Sequence, residues 1–398
     1  MRHYLRVLVA VAMSLFAAHA SLAAYVFTRI ADTSGPYRSF FTPSLNDAGQ
    51  VARLGGGQQG IFVGNGGPVT TIADTLGPFA VLRDPSINAT GQVGFRAFLG
   101  CCGEGLFVGS GGPTTPLYDN SGTFFSFRDP ILNASGTVAF HGRLNPRGGG
   151  IFTGSGGPAT EVARTSGPYE DFGDPHLNQS GQVVFFATLD SGGSGIFTGM
   201  DPLANRIADE SGPFTGFGDG PTINDAGLVA FRGLLGGGQS GLFLGNGGPV
   251  TTVVDSSGPF AEFLGPSINN AAQIAFRADL DSGGEGLFGG PDPVNDRILL
   301  FGDPLDGGVV DDIEFFRALN AGGSVAFLAR FTDGREGIYR ADLLVPEPPV
   351  LVLLVAGWLA GSRWRSGHRA RRDPERLAEP SSRNRAQITL STGATRTV

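Results

Sequence analysis

The chain has 398 residues, of which 65 are glycine, 26 proline and 31 phenylalanine; only 16% are charged, and every basic residue other than histidine is arginine. Glycine and proline together approach the range of low-complexity chains, but the phenylalanines recur in register and supply the apolar surface that a packed core needs, which argues against disorder over most of the length. The net charge of −8 hides an asymmetry: with two arginines at the start and nine from Arg363 onward set aside, 17 arginines face 33 acids, about −16, a poor partner for the phosphates of nucleic acid.

Residues 1–24 read as a secretory signal. Arg2, His3 and Arg6 make the positive start, residues 8–16 an apolar run, and Ser21-Leu22-Ala23 or Leu22-Ala23-Ala24 a small-residue site for signal peptidase. The run is shorter than the roughly 20 residues that a membrane span takes; a retained anchor is the alternative.

From residue 25 to 344 a repeat takes over. Its anchors are Asn46, Asn88, Asn133, Asn178, Asn224, Asn269 and Asn320, spaced by 42, 45, 45, 46, 45 and 51 residues. Each unit reads as four short strands. An aromatic run ending in proline comes first, as in Phe124-Phe-Ser-Phe-Arg-Asp-Pro130. A turn of the type Asn133-Ala-Ser-Gly136 follows, since asparagine tolerates a left-handed position and glycine occupies one without steric cost. The same turn pairs Asn46 with Gly49, Asn88 with Gly91, Asn178 with Gly181 and Asn224 with Gly227. Next come an alternating apolar strand closed by phenylalanine, a third strand opening Gly-Ile/Leu-Phe, and after Gly-Gly-Pro a fourth such as residues 69–74.

One sheet of 45 residues cannot bury both its faces, so units must stack in a line or close in a ring. The ends favour the ring. The last unit stops after its third strand at residues 337–342, whereas an orphan fourth strand, residues 26–37, precedes the first unit. The expected fold is therefore all-β: a seven-bladed β-propeller of four-stranded antiparallel blades, the last closed by the N-terminal strand, which removes open edges. The alternative is a linear β-solenoid, whose ends would carry atypical capping units. Three departures mark where the units differ: Arg53 in place of phenylalanine, Asn269-Asn-Ala-Ala272 without the turn glycine (Asn270 being able to take the turn conformation), and an acidic insertion at 306–314.

The Pro-x-Ile/Leu-Asn-x-x-Gly-x-Val-x-Phe core resembles the propeller repeats of the periplasmic Tol-system translocation protein over some twelve residues per unit, with asparagine where that family favours aspartate. The units also look like the tandem Asn-x-x-Gly-x-x-Ala-Phe repeat proteins of bacterial surfaces, a family with varied C-terminal anchors and no established activity.

At Val345-Pro346-Glu347-Pro348 the composition changes. An apolar run at 349–361 is followed by Arg363 and Arg365, and then by a polar tail at 366–398, expected to be disordered. This order resembles a PEP-CTERM sorting signal. The resemblance implies recognition by an exosortase and delivery to the surface of a Gram-negative cell, often one making exopolysaccharide. The apolar run would hold the exported chain in the inner membrane, transiently or permanently, with the arginines cytoplasmic. Such signals usually end soon after the arginines, and this tail departs from that pattern.

Chemistry is sparsely signalled. Adjacent Cα atoms lie about 3.8 Å apart, less than the roughly 4.4–6.8 Å of an ordinary disulfide, so a bridge between Cys101 and Cys102 would be strained. Asp190 and Asp281 sit in glycine-rich loops that read as hairpin turns rather than calcium sites, which need six to eight oxygens. Asp84, Asp129 and Asp174 precede prolines at one repeat position, with Asp219 nearby; if the first strand is innermost, they ring a channel mouth. His141, His176 and His368 occur singly and outside nucleophile motifs. No metal site, cofactor or catalytic set is expected. The sequence points to a non-catalytic exported binding module for exopolysaccharide or surface proteins, with a hydrolase or lyase working at the propeller mouth as the alternative.

Overall fold

The computed structural model describes residues 25–344 except Gln58, Cys101, Cys102 and Asp219. The expectations for the signal segment (1–24), the sorting motif Val345–Pro348 with Arg363 and Arg365, the tail, the cysteine pair and Asp219 lie outside the described residues. Among those described, no helix is long and apolar enough to cross a membrane.

Seven antiparallel sheets follow one another with their strands in chain order, apart from the N-terminal strand, which joins the last sheet. Blade 3 shows the pattern: Phe124–Phe127 and Ile131–Leu132 both pair with Val138–Leu144, which pairs with Gly149–Gly154, which pairs with Thr160–Arg164. The first strand is thus broken in two where Asp129-Pro130 falls, because proline offers no N–H to the ladder. Blades 4, 5 and 6 break likewise. Blade 2 instead keeps one strand, Phe79–Ile87, with a bulge between Arg83 and Ser86.

The ring closes as the strand count requires. Tyr25–Asp32 pairs antiparallel with Glu336–Leu343, from Tyr25 opposite Leu343 to Asp32 opposite Gly337, and so supplies blade 7 with its outer strand. Burial follows this arrangement. The apolar core is a series of clusters between successive blades, and the cluster at the seam unites Ile30 and Val51 from one end of the chain with Val325 and Ile338 from the other. Each blade contributes a buried box of aromatic rings. In blade 6, Phe260 packs edge-on against Phe288 at 5.0 Å while Phe276 stacks on Phe288 at 5.9 Å, geometries that suit the ring quadrupoles.

Blade 1 breaks the box. Arg53 occupies the phenylalanine position and is fully buried, its guanidinium 5.6 Å from the Tyr37 ring and 5.8 Å from that of Phe62. Its Nε and Nη1 find no hydrogen-bond partner among the described residues, and burial lowers its pKa. Unit six also departs from expectation. The residue that takes the left-handed turn conformation is Ala272 (φ 58°), not Asn270. The reason is hydrogen bonding: it is the Ala272 N–H that must turn back to the Asn269 carbonyl, at 3.0 Å, as the turn glycines do in the other units.

Candidate functional site

The seven anchor asparagines meet in a belt around one end of the channel. The Nδ2 of Asn46 donates to the carbonyl of Asn88 at 3.0 Å, Asn88 to Asn133 at 2.9 Å, Asn133 to Asn178 at 3.3 Å and Asn178 to Asn224 at 3.0 Å. Asn224 continues to Asn269 at 3.2 Å, Asn269 to Asn320 at 3.0 Å, and Asn320 returns to Asn46 at 3.3 Å. Each Oδ1 meanwhile accepts backbone N–H groups of its own turn; that of Asn133 takes Ser135 and Thr137. The amide thus shapes its own turn and clamps the next blade. The partner glycines Gly49, Gly91, Gly136, Gly181 and Gly227 all have φ between 73° and 85°, a region open to glycine without strain.

The residue directly before each asparagine is leucine or isoleucine and lines the channel in every unit, whereas the residue two places before differs from unit to unit. Ser44 and Ser86 accept the N–H of Ile87 and Leu132 at 3.2 and 3.1 Å. In blade 4 the place is taken by His176, whose Nδ1 accepts the Ile223 N–H at 3.2 Å. That bond makes Nδ1 the acceptor and leaves Nε2 to carry the proton of the neutral ring. Burial, with Arg317 adding to it, holds the imidazole neutral and lowers its pKa to about 3.

The residue before those is proline in six units and Arg317 in the seventh. Arg317 reaches across the ring and donates to the carbonyls of Asp174 and Pro175 in blade 4, at 3.0 and 2.8 Å, while lying 4.6 Å over the ring of Phe316. Its backbone is left-handed (φ 55°), as is that of Asp84 (φ 54°). Strain of this kind in non-glycine residues collects at functional sites.

Between these groups lies a cavity of about 350 Å³, lined by Asp84, Asp129, His176 and Arg317, with Phe41 and Phe316 exposed beside it and Asp47, Asp225 and Asn270 at its asparagine end. Asp84 and Asp129 stand close enough to interact. Burial first, then the hydrogen bond and charge of Asp84, push Asp129 up to about 7, against the pull of Arg96 and Arg317. A carboxyl pair, a guanidinium, an imidazole N–H and two exposed rings can together hold a hydroxyl-rich ligand, and the proton that Asp129 keeps can also be given to one.

Of the four aspartates singled out from the sequence, Asp84 and Asp129 line the cavity. Asp174 contributes its carbonyl to Arg317, and Asp219 lies outside the described residues. Asp190 and Asp281 sit in tight hairpins, their N–H groups donating to Pro168 and Pro259. The acidic insertion is engaged by arginine: Asp312 pairs with Arg277 and Arg330, and Glu314 with Arg330 at 2.7 Å. Sequence reasoning missed Arg317 and the place of His176. The first was visible as Arg317-Ala-Leu-Asn320 against Pro-x-Ile/Leu-Asn elsewhere. No group of three or more His, Cys, Asp or Glu among the described residues could hold a metal ion.

A family of unknown function (DUF7453) matches residues 56–201 and 306–352. No curated protein matches the sequence. Among solved structures, the chain is similar to prolyl oligopeptidase B from Galerina marginata (12% identity, TM-score 0.51, covering 78% of this chain and 50% of that one). It is also similar to an oligogalacturonate lyase in complex with manganese (10%, 0.50, 80% and 96%), and to TolB from Acinetobacter baumannii (13%, 0.40, 77% and 65%). The chain thus spans half the length of the first of these and less than two thirds of the last. At such identities the likeness concerns the fold, a β-propeller.

Proposed function

We propose that this chain is an exported, non-catalytic binding module of a Gram-negative cell surface or extracellular matrix, and that its ligand, an exopolysaccharide, engages the channel mouth. In this reading signal peptidase removes residues 1–24, and an exosortase acts at Val345–Pro348. The observation that carries the binding site is the cavity itself. At His176 and Arg317 its lining departs from the repeat where the surrounding belt does not, and a departure that ring closure does not require is free to serve a ligand. Rings, carboxyls and a guanidinium together suit sugar hydroxyls and the apolar faces of sugar rings. The test is a pull-down on immobilised exopolysaccharides with the parent chain and Arg317→Gly. Retention that the variant loses supports the reading; no retention of the parent on any polymer sinks it, and retention on a surface protein instead would redirect it.

A second reading, an extracytoplasmic hydrolase or lyase, has one observation in its favour: a carboxyl at Asp129 that stays protonated to about pH 7 suits a general acid. It predicts cleavage of a bound polymer that Asp129→Asn abolishes without loss of binding.

A further inference from the structure

A second cavity, of about 650 Å³, opens between blades 3 and 4, away from the channel. Gly149 lines it, at a position that varies from blade to blade, with Ser194, Ser240 and Glu285 in blades 4, 5 and 6. The position before the Gly-Ile/Leu-Phe strand carries Gln59 in blade 1, Glu104 in blade 2 and Glu336 in blade 7. Each of these side chains crosses to the next blade and accepts a backbone N–H there, from Leu82 at 3.1 Å, Phe127 at 3.0 Å and Phe40 at 2.9 Å. Blade 3 has Gly149, which cannot cross, and the space is left open.

Into that space faces His141, 3% exposed, with its Nε2 3.4 Å from where a Cβ on residue 149 would stand. Its Nδ1 has no hydrogen-bond partner among the described residues, a costly state for a buried polar atom. Burial, with Arg128 and Arg143 adding to it, keeps the ring neutral and brings its pKa down to about 4, against the pull of Asp171. The mouth carries Arg143 and Arg147 opposite Glu170 and Asp171, and the Phe125 ring stands 61% exposed beside them. Two arginines and two acids thus line the cavity, so its mouth is neutral on an otherwise acidic propeller.

We propose that this cavity binds a carboxylate-bearing sugar unit of an anionic polysaccharide. Arg143 and Arg147 take the carboxylate, the Phe125 ring stacks on the apolar face of the sugar, and the imidazole of His141 bonds a hydroxyl. Bidentate guanidinium–carboxylate pairing favours the acid over its neutral counterpart. That the ligand is a polymer rests on the reading of a matrix-binding module; the site itself does not.

The test is isothermal titration calorimetry of the full chain against a hexasaccharide rich in glucuronic acid, its carboxyl-reduced neutral counterpart, and free glucuronate. The acidic hexasaccharide is expected to bind at least about tenfold tighter than the neutral one, and Arg143→Gln with Arg147→Gln to erase that preference, since each charged hydrogen bond carries about that factor. Both arginines are exposed, so the melting temperature should not move. Gly149→Glu gives blade 3 the side chain of blade 2, fills the cavity and should remove binding. Competition by free glucuronate would show that the unit suffices; its failure alongside retained hexasaccharide binding would assign the affinity to the polymer and overturn the single-unit site. Absence of binding, equal affinity for acidic and neutral sugars, or acidic binding untouched by the arginine pair overturns the proposal. Binding lost in Arg317→Gly but kept in Gly149→Glu sinks this site and leaves the channel reading standing; the converse result does the opposite.

Discussion

The asparagine belt and the channel wall next to it lie within a few residues of each other on the same strands, yet they are built by opposite rules. The belt repeats seven times with one side chain and one bond. Two residues upstream the units carry Ser44, Ser86, Ile131, His176, Thr222, Ser267 and Ala318, five of which reach the wall, and one further upstream six prolines give way to Arg317. A ring must satisfy the belt at every blade, because each amide clamps the next; the wall need only avoid clashing. Closure therefore spends the regular positions on structure and leaves the irregular ones available for binding.

Breaking the belt should have the largest effect. Asn133→Ala removes the donor to Asn178 and orphans the N–H groups of Ser135 and Thr137; urea unfolding should show a loss of about 2–4 kcal/mol, at 1 or more per unmade bond. The aromatic box sharpens the comparison from the other side. Arg53→Phe restores the repeat and removes a buried charge, and should raise stability by about 1–3 kcal/mol; a loss would mean that Arg53 has a partner the fold needs.

The wall should respond to pH where the belt does not. Asp129 keeps its proton in the folded chain up to about pH 7, whereas the unfolded chain loses it near the ordinary carboxyl value of 3.8. The folded state thus binds more protons between these values, so this group makes stability fall as pH rises from about 4 to 7, with no change outside that window. Asp84, Arg96, Arg317 and His176 face the same space, and Asp129→Asn isolates its part. Chemical denaturation at pH 5 and 8 should show the parent losing roughly 2–3 kcal/mol relative to the variant, about 1.4 for each of two pH units. The smallest effect is expected at Ala272→Gly, which relieves a left-handed alanine and should gain roughly 0.5–1 kcal/mol in thermal melts.

Much of the ring was legible because both of its causes are one-dimensional. The 45-residue period requires neighbours, and the orphan strand at the N-terminus completes a count of seven. The asparagines were legible as turn formers, but their second bond joins carbonyls 42 to 51 residues away, or 274 across the seam, and no local pattern announces it. Arg317 was missed, although setting the units side by side shows it in place of proline; its reach to blade 4 depends on ring diameter. The sequence offered Asn270 for the left-handed place that Ala272 takes, because which of four turn residues goes left-handed is set by the hydrogen bond back to Asn269, not by side-chain preference. His141 reads as an isolated histidine until Gly149 is compared with Glu104, and then the missing side chain becomes the signal.

The most direct test of the division between regular and irregular positions is a glycan array probed with the parent chain and with Arg317→Gly at matched folded concentration. The account predicts that the parent retains a defined set of glycans, that the variant loses them at least tenfold, and that its melting temperature stays close to the parent's. An identical binding profile for the two proteins, or no glycan bound by either, would contradict it.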